Sequence, residues 1–185
     1  MYVHVSSKYG KKMTIIHPGE FYVSETDELI GTLLGSCVAL CLVDPVRGVA
    51  GMNHFMLPGR ISAADVFSDD SAKYGIIAIH RLLDTMENMG SHKNDIHAKI
   101  FGGGHVLDIS GGSSIPLDNI RLARMMMEFE DIHIAASDVG GRFTRKVLLD
   151  VRSGNAFLKR SVREDVFLEV QKKEEEFARR SFIDG

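Results

Sequence analysis

The sequence predicts an α/β fold: a sheet or stacked sheets of mostly antiparallel strands, with helices packed outside. Three observations predict it. Short apolar runs of strand length outnumber stretches with helical period. Two helical stretches fall among strands in the middle of the chain. Short turn signals join several neighbouring runs, as in hairpins. No clean βαβαβ rhythm runs through the chain, which argues against a doubly wound nucleotide fold.

Residues 1–14 are polar and mixed and read as a loose arm. Ile15 to Val23 reads as a first strand, broken at Pro18-Gly19. Ser24 to Glu28 is turn-like, and Leu29 to Leu34 is a short apolar run leading into Gly35-Ser36. Cys37 to Val43 is a nearly continuous apolar run, the pattern of a strand buried on both faces. Asp44-Pro45-Val46-Arg47-Gly48 is a turn, and Val49 to Leu57 is the partner strand, stopped by Pro58-Gly59. Arg60 to Asp70 is polar, without period. A helix follows from about Ser71 to Met89, with Tyr74, Ile77, Ala78, Leu82 and Met86 on one face, Asp69 or Asp70 as cap and Gly90 as stop. Ile96 to Phe101 is a strand ending in Gly102-Gly103-Gly104-His105, and Gly111-Gly112 marks a loop. A second helix spans about Leu117 to Glu130, with Ile120, Ala123, Arg124 and Met127 along one side. Ile132 to Ala136 is a strand, and Lys146 to Val151 with Ala156 to Val162 form a closing hairpin. Residues 1–162 thus read as one domain, and 163–185 as a charged, helix-prone tail at its periphery with sparse apolar positions Val166, Val170 and Phe177.

Composition excludes several function classes. The 185 residues are 44% hydrophobic and 25% charged, which suits one domain with a substantial core. A net charge of -3 gives no electrostatic footprint for nucleic acid or an anionic membrane. Arg142, Arg145 and Lys146 are the nearest approach to a basic patch and read as a solvated strand approach. No apolar run is long enough to span a bilayer, and the N-terminus has no signal-peptide pattern, so a cytoplasmic protein is expected. The only cysteines, Cys37 and Cys41, are then expected as free thiols.

Cys37 is the leading candidate for chemistry. It follows Gly35-Ser36 at the mouth of its strand, where free peptide N–H groups near the thiol can hold an oxyanion. If Val43 pairs with Gly48 around the turn, Cys37 stands directly opposite His54, and opposed residues share a face. An imidazole there can serve a thiol nucleophile as base. The base needs a group to orient its second nitrogen, and Thr32 and Ser36 offer hydroxyls. Cys41, inside the apolar run, reads as a small core residue. His80, His92, His97, His105 and His133 are scattered without ligand spacing, so no metal is expected. The Gly102–Gly104 run lacks the Lys-Ser/Thr of a phosphate loop and reads as a place of close backbone approach. Met125, Met126 and Met127 read as helix packing with one or two turned outward.

With these residues in place the chain resembles the CheD family of chemoreceptor glutamine deamidases. The resemblance rests on Leu33-Leu34-Gly35-Ser36-Cys37-Val38-Ala39-Leu40-Cys41-Leu42-Val43-Asp44-Pro45 and Gly51-Met52-Asn53-His54-Phe55-Met56-Leu57-Pro58. Lys99-Ile100-Phe101-Gly102-Gly103-Gly104, Ser137-Asp138-Val139-Gly140-Gly141 and Arg145-Lys146-Val147-Leu148-Leu149-Asp150 extend it over about residues 15–160. His105 departs from the alanine expected after the glycines. The resemblance implies a compact α/β sandwich and a site with Cys37 as nucleophile, His54 as base and Thr32 as the orienting threonine. Gly35 and Ser36 supply backbone support for the oxyanion. It implies hydrolysis of glutamine side chains to glutamate on the cytoplasmic helices of methyl-accepting chemotaxis receptors through a thioester, with no cofactor. It also implies a CheC-type phosphatase as partner, and with it the alternative of a non-catalytic adaptor in which Cys37 is only a core residue. A generic thiol hydrolase of small amides is the third reading.

Overall fold

The computed structural model describes residues 1–57, 70–105 and 115–183. The expected polar loop at 60–70 and the Gly111-Gly112 loop fall almost wholly outside them, as does the Asp69 cap. Two five-stranded sheets stack face to face. One has the order β1 (Tyr2–Ser6), β2 (Lys11–Ile15), β4 (Leu29–Leu34), β9 (Thr144–Asp150) and β10 (Ala156–Ser161). The other has the order β3 (Phe21–Ser24), β6 (Val49–Asn53), β5 (Val38–Asp44), β7 (His97–Gly102) and β8 (His133–Val139). Among the described strands only β2 with β4 and β7 with β8 pair in parallel, so the sandwich is mostly antiparallel as expected.

The residues explain the layering. Every residue of β5 is buried, because both its faces are covered. Leu40 and Leu42 point to a core shared with helices α1 (Asp70–Asn88) and α2 (Ile115–Phe129), while Cys37, Ala39, Cys41 and Val43 point between the sheets. A strand's two-residue alternation sorts the run this way, and it makes β5 the central plank of a β/β/α stack. Both helices pack on the second sheet, so the sequence's placement of helices outside the strands holds.

Several local expectations shift. Residues 1–14 are not a loose arm: β1 and β2 form a hairpin, with Tyr2 opposite Ile15, at the edge of the first sheet. The break at Pro18-Gly19 is where the chain leaves the first sheet and enters the second as β3. On α1, Leu82 and Met86 are buried as expected, but Ile77 is exposed, and Ile79 and Leu83 are buried on the face in its place. On α2, Ile120, Ala123 and Met127 are buried as expected, but Arg124 is exposed. Arg145 is not solvated. It is buried, donates from Nε to Asp138 Oδ1 at 2.8 Å and from Nη2 to the Gly140 carbonyl at 2.6 Å, and lies over the Phe143 ring. A buried guanidinium is tolerable because its charge is met by a carboxylate. The last segment forms α3 (Glu164–Ile183), which is not peripheral: its Glu174 is buried against the β4–β5 loop.

Candidate functional site

The site lies where β4, from one sheet, hands over to β5, in the other. The loop Gly35–Cys37 makes that crossing, and its backbone is pinned from one side. Gly103 N–H donates to the Cys37 carbonyl and Gly104 N–H to the Gly35 carbonyl, both at 2.7 Å. Asn119 of α2 donates from Nδ2 to the Ser36 carbonyl at 3.1 Å, and its Oδ1 accepts from Leu57 N–H at 2.9 Å. The glycine run is therefore the place of close approach the sequence suggested. Gly102 has φ 114°, and a Cβ there would lie 2.2 Å from the Cys37 carbonyl oxygen. With the three carbonyls of the loop engaged, the N–H groups of Gly35 and Cys37 and the Ser36 hydroxyl face the other way.

His54 follows the last ladder residue of β6. Here the register differs from the expected one. Cys41 pairs with Met52 and Val43 with Ala50, so Ala39, not Cys37, is in register with His54. The hairpin places Asp44 opposite Val49 and Val43 two residues beyond its supposed partner. Asp44 Oδ1 accepts from the N–H groups of Val46 and Arg47, which stabilises that turn. A two-residue shift preserves the face, whereas a one-residue shift would have reversed it. Cys37 and His54 are thus diagonal neighbours on the inter-sheet face, a relation in which Cα atoms stand about 7–8 Å apart.

Thr32 reaches His54 from the opposite sheet. Its Oγ1 lies 2.9 Å from the Ile16 carbonyl and 2.7 Å from His54 Nδ1. A carbonyl can only accept, so the single hydroxyl proton goes to Ile16. Thr32 then accepts from Nδ1–H, and Nε2 carries the lone pair. That Nε2 is buried and has no hydrogen-bond partner among the described residues. It is consequently not hydrogen-bonded to the Cys37 thiol. Burial pushes the imidazole down to about 3, with His17 and Lys173 adding positive charge nearby.

Cys37 itself is fully buried. Helix α3 lies against its loop. Glu174 Oε1 accepts from Gly35 N–H at 3.2 Å and Cys37 N–H at 3.1 Å, and Oε2 accepts from the Ser36 hydroxyl at 2.6 Å. Burial, then the neighbouring Glu174 carboxylate, hold the thiol well above its ordinary range. Phe177, one turn further on, packs on Tyr74 of α1 with ring centroids 5.9 Å apart and covers Gly19. A cavity of about 310 Å³ remains beside it, lined by His17, Pro18, Glu20, Lys173, Glu176 and Phe177.

The structure therefore buries all five residues: Thr32 is bonded to His54 across the sheets, Gly35, Ser36 and Cys37 meet at Glu174, and Cys37 and His54 lie diagonally on one face. Cys41 stays apart in the core, its thiol pushed up to about 12 by burial. Among the described residues no group of three or more His, Cys, Asp or Glu side chains is arranged to hold a metal. The sequence reading missed Asn119 and Glu174. Nothing marks Asn119 in a single sequence. Glu174 carries a signal: Val170, Glu174 and Phe177 follow the spacing of one helix face, so a carboxylate sits in the middle of an apolar stripe.

A family profile described as CheD chemotactic sensory transduction matches residues 56–160. Curated relatives span more of the chain. One from Hahella chejuensis is 41% identical over 82% of this chain and 71% of its own length. Others from Saccharophagus degradans and Cupriavidus metallidurans are 34% and 37% identical, over 86% and 93% of this chain and 75% and 79% of theirs. All three are named "Probable chemoreceptor glutamine deamidase CheD". Among solved structures, that of Bacillus licheniformis hypothetical protein YfiH aligns with 64% of this chain and 49% of its own at a TM-score of 0.44 and 16% identity.

Proposed function

The chain belongs to the CheD family, and from that premise we propose that it is a protein-glutamine glutaminase that converts glutamine side chains of methyl-accepting chemotaxis receptors to glutamate. In this reading Cys37 is the nucleophile and His54 the base. The observation that carries it is the Thr32–His54 bond between the two sheets, which fixes the imidazole with a bare Nε2 on the face that Cys37 shares. A histidine with that tautomer can take a thiol proton, and one with the other tautomer cannot.

The chemistry runs as acyl transfer. Sγ attacks the amide carbon, and the carbonyl oxygen becomes an oxyanion facing the N–H groups of Gly35 and Cys37, with Ser36 beside them. The C–N bond breaks, His54 returns the proton, and ammonia leaves from a thioester. Water then hydrolyses the thioester, releasing glutamate and the thiol. Each step is served by the chain's own side chains and peptide groups. Substrates on the receptors' cytoplasmic helices place the reaction in the cytoplasm, and no helix among the described residues is long and apolar enough to cross a membrane. A CheC-type phosphatase is a further proposed partner, on the strength of the resemblance alone.

Ammonia release from receptor cytoplasmic fragments tests the proposal. We expect release by the native chain and none by Cys37→Ala at unchanged circular dichroism. Release undiminished in Cys37→Ala ends the assignment of the nucleophile. Activity on free glutamine with none on receptor fragments replaces the receptor by a small-molecule amide.

A further inference from the structure

We infer that α3 is a built-in inhibitor that docks Glu174 in the position of the substrate's glutamine side chain. The inference rests on the proposed deamidase reading and adds to it a regulated site and the residue that occupies it.

The contacts of Glu174 carry it. Both backbone donors of the loop converge on a single oxygen, Oε1, at 3.2 and 3.1 Å, while Oε2 meets the Ser36 hydroxyl at 2.6 Å. An amide in the same pose would place its carbonyl oxygen between the two N–H groups, where negative charge develops in acyl transfer. Its NH2 would face the Ser36 oxygen, which can accept. A glutamate there is the reaction's own product: it satisfies every donor and has no leaving group. Glu174 is 4% exposed, and its burial is supported by these three hydrogen bonds.

The neighbouring side chains shape how the helix is held. Val170 is buried one turn before Glu174, and Phe177 lies against Tyr74 and Gly19 one turn after. Most of the rest of the helix faces outward, with Leu168 60% exposed. A tethered side chain meets its site at an effective concentration of order millimolar. A receptor helix must compete with that, and its apparent affinity falls by the fraction of molecules whose site is open. While α3 is docked, Cys37 is sealed and its proton is retained.

Replacing Glu174 by glutamine gives the tethered site a substrate. In Glu174→Gln, Sγ would attack the amide carbon of the introduced side chain, the C–N bond would break with loss of ammonia, and water would cleave the thioester to restore the native carboxylate. Mass spectrometry of the peptide bearing that position reads this as NH2 exchanged for OH. We expect conversion in Glu174→Gln and none in the double variant with Cys37→Ala. If the introduced amide persists while the same preparation deamidates receptor fragments, α3 does not dock as a substrate and the inference falls, with the deamidase reading intact. If neither substrate reacts, the deamidase reading fails, and docking is decided by iodoacetamide labelling of native protein. Labelling of Cys37 at least tenfold faster in Glu174→Ala and in Phe177→Ala than in the native chain keeps the inhibitory helix. Equal rates overturn it. Where docking holds, the same two variants are expected to raise kcat/KM on receptor fragments about tenfold, mainly through KM.

Discussion

The Gly35–Cys37 loop and helix α3 meet at one carboxylate but are held there by different means. The loop is fastened by backbone. Its three carbonyls accept from Gly103, Gly104 and Asn119, and the glycine run packs so closely that no side chain fits at Gly102. Helix α3 is fastened by a few side chains. Among those described, only Val170 and Glu174 are buried, with Val166, Phe167, Gln171, Lys173 and Phe177 partly so. Their apolar burial is worth roughly 2–4 kcal/mol, offset in part by the ordering of side chains. Elements held so lightly open at a fraction of the cost of global unfolding. The difference teaches that the donor array and the element closing it are separable: one is part of the core, the other is a ligand that happens to be covalently attached.

The largest expected effect breaks the rigid half. Gly102→Ala forces a Cβ to within 2.2 Å of the Cys37 carbonyl at a φ that disfavours any side chain. We expect a loss on the order of 3 kcal/mol or more, read as a lower midpoint in urea unfolding, together with loss of ammonia release.

Next come the histidine and its support. His54→Gln is expected to lower kcat/KM on receptor fragments by roughly 10²–10⁴-fold, the span of a general base. Thr32→Val, which removes the acceptor for Nδ1–H, is expected to cost less, about tenfold or more, with retained fold. If Thr32→Val leaves the rate unchanged, the tautomer is set by something else.

Acid stability sharpens the comparison from the other side. Folded His54 is pushed down to about 3, so it stays neutral where the unfolded chain's histidine, near 6.5, takes a proton. The unfolded state then binds more protons, and stability falls as pH drops from about 6.5 towards 3, by at most about 5 kcal/mol from this group. Urea unfolding across that range should show a shallower pH slope in His54→Gln than in the native chain. In Glu174→Ala, which admits water to the site, the slope should lie between the two.

The smallest effect is a control on position. Cys41→Ala removes a sulfur from the same inter-sheet face, within β5 and away from the Gly35–Cys37 loop. It should cost about 1–2 kcal/mol in stability and leave ammonia release as it was.

Much of this was legible in the residues. The continuous apolar run Cys37–Val43 announced a strand covered on both faces, and β5 is that strand. Gly35-Ser36 before a cysteine announced peptide donors near the thiol, though those of Gly35 and Cys37 are not free but donate to Glu174, and the glycine triplet announced close backbone approach. The hairpin was legible but its register was not, because Asp44, read as part of the turn, pairs with Val49 as the last residue of β5 while its side chain holds the N–H groups of Val46 and Arg47. Arg145 read as solvated because its partner, Asp138, lies on another strand.

Local chemistry is written in neighbouring residues: backbone freedom, strand alternation and the setting of the proposed nucleophile Cys37 all act within a few positions. The residues proposed to serve it come from far along the chain. Thr32 and His54 are 22 residues apart and belong to different sheets, and Glu174 reaches Cys37 across 137 residues. Such pairs exist only once two sheets have stacked and a helix has packed over their joint, because burial and sheet twist, not sequence spacing, decide which distant side chains share one dry pocket.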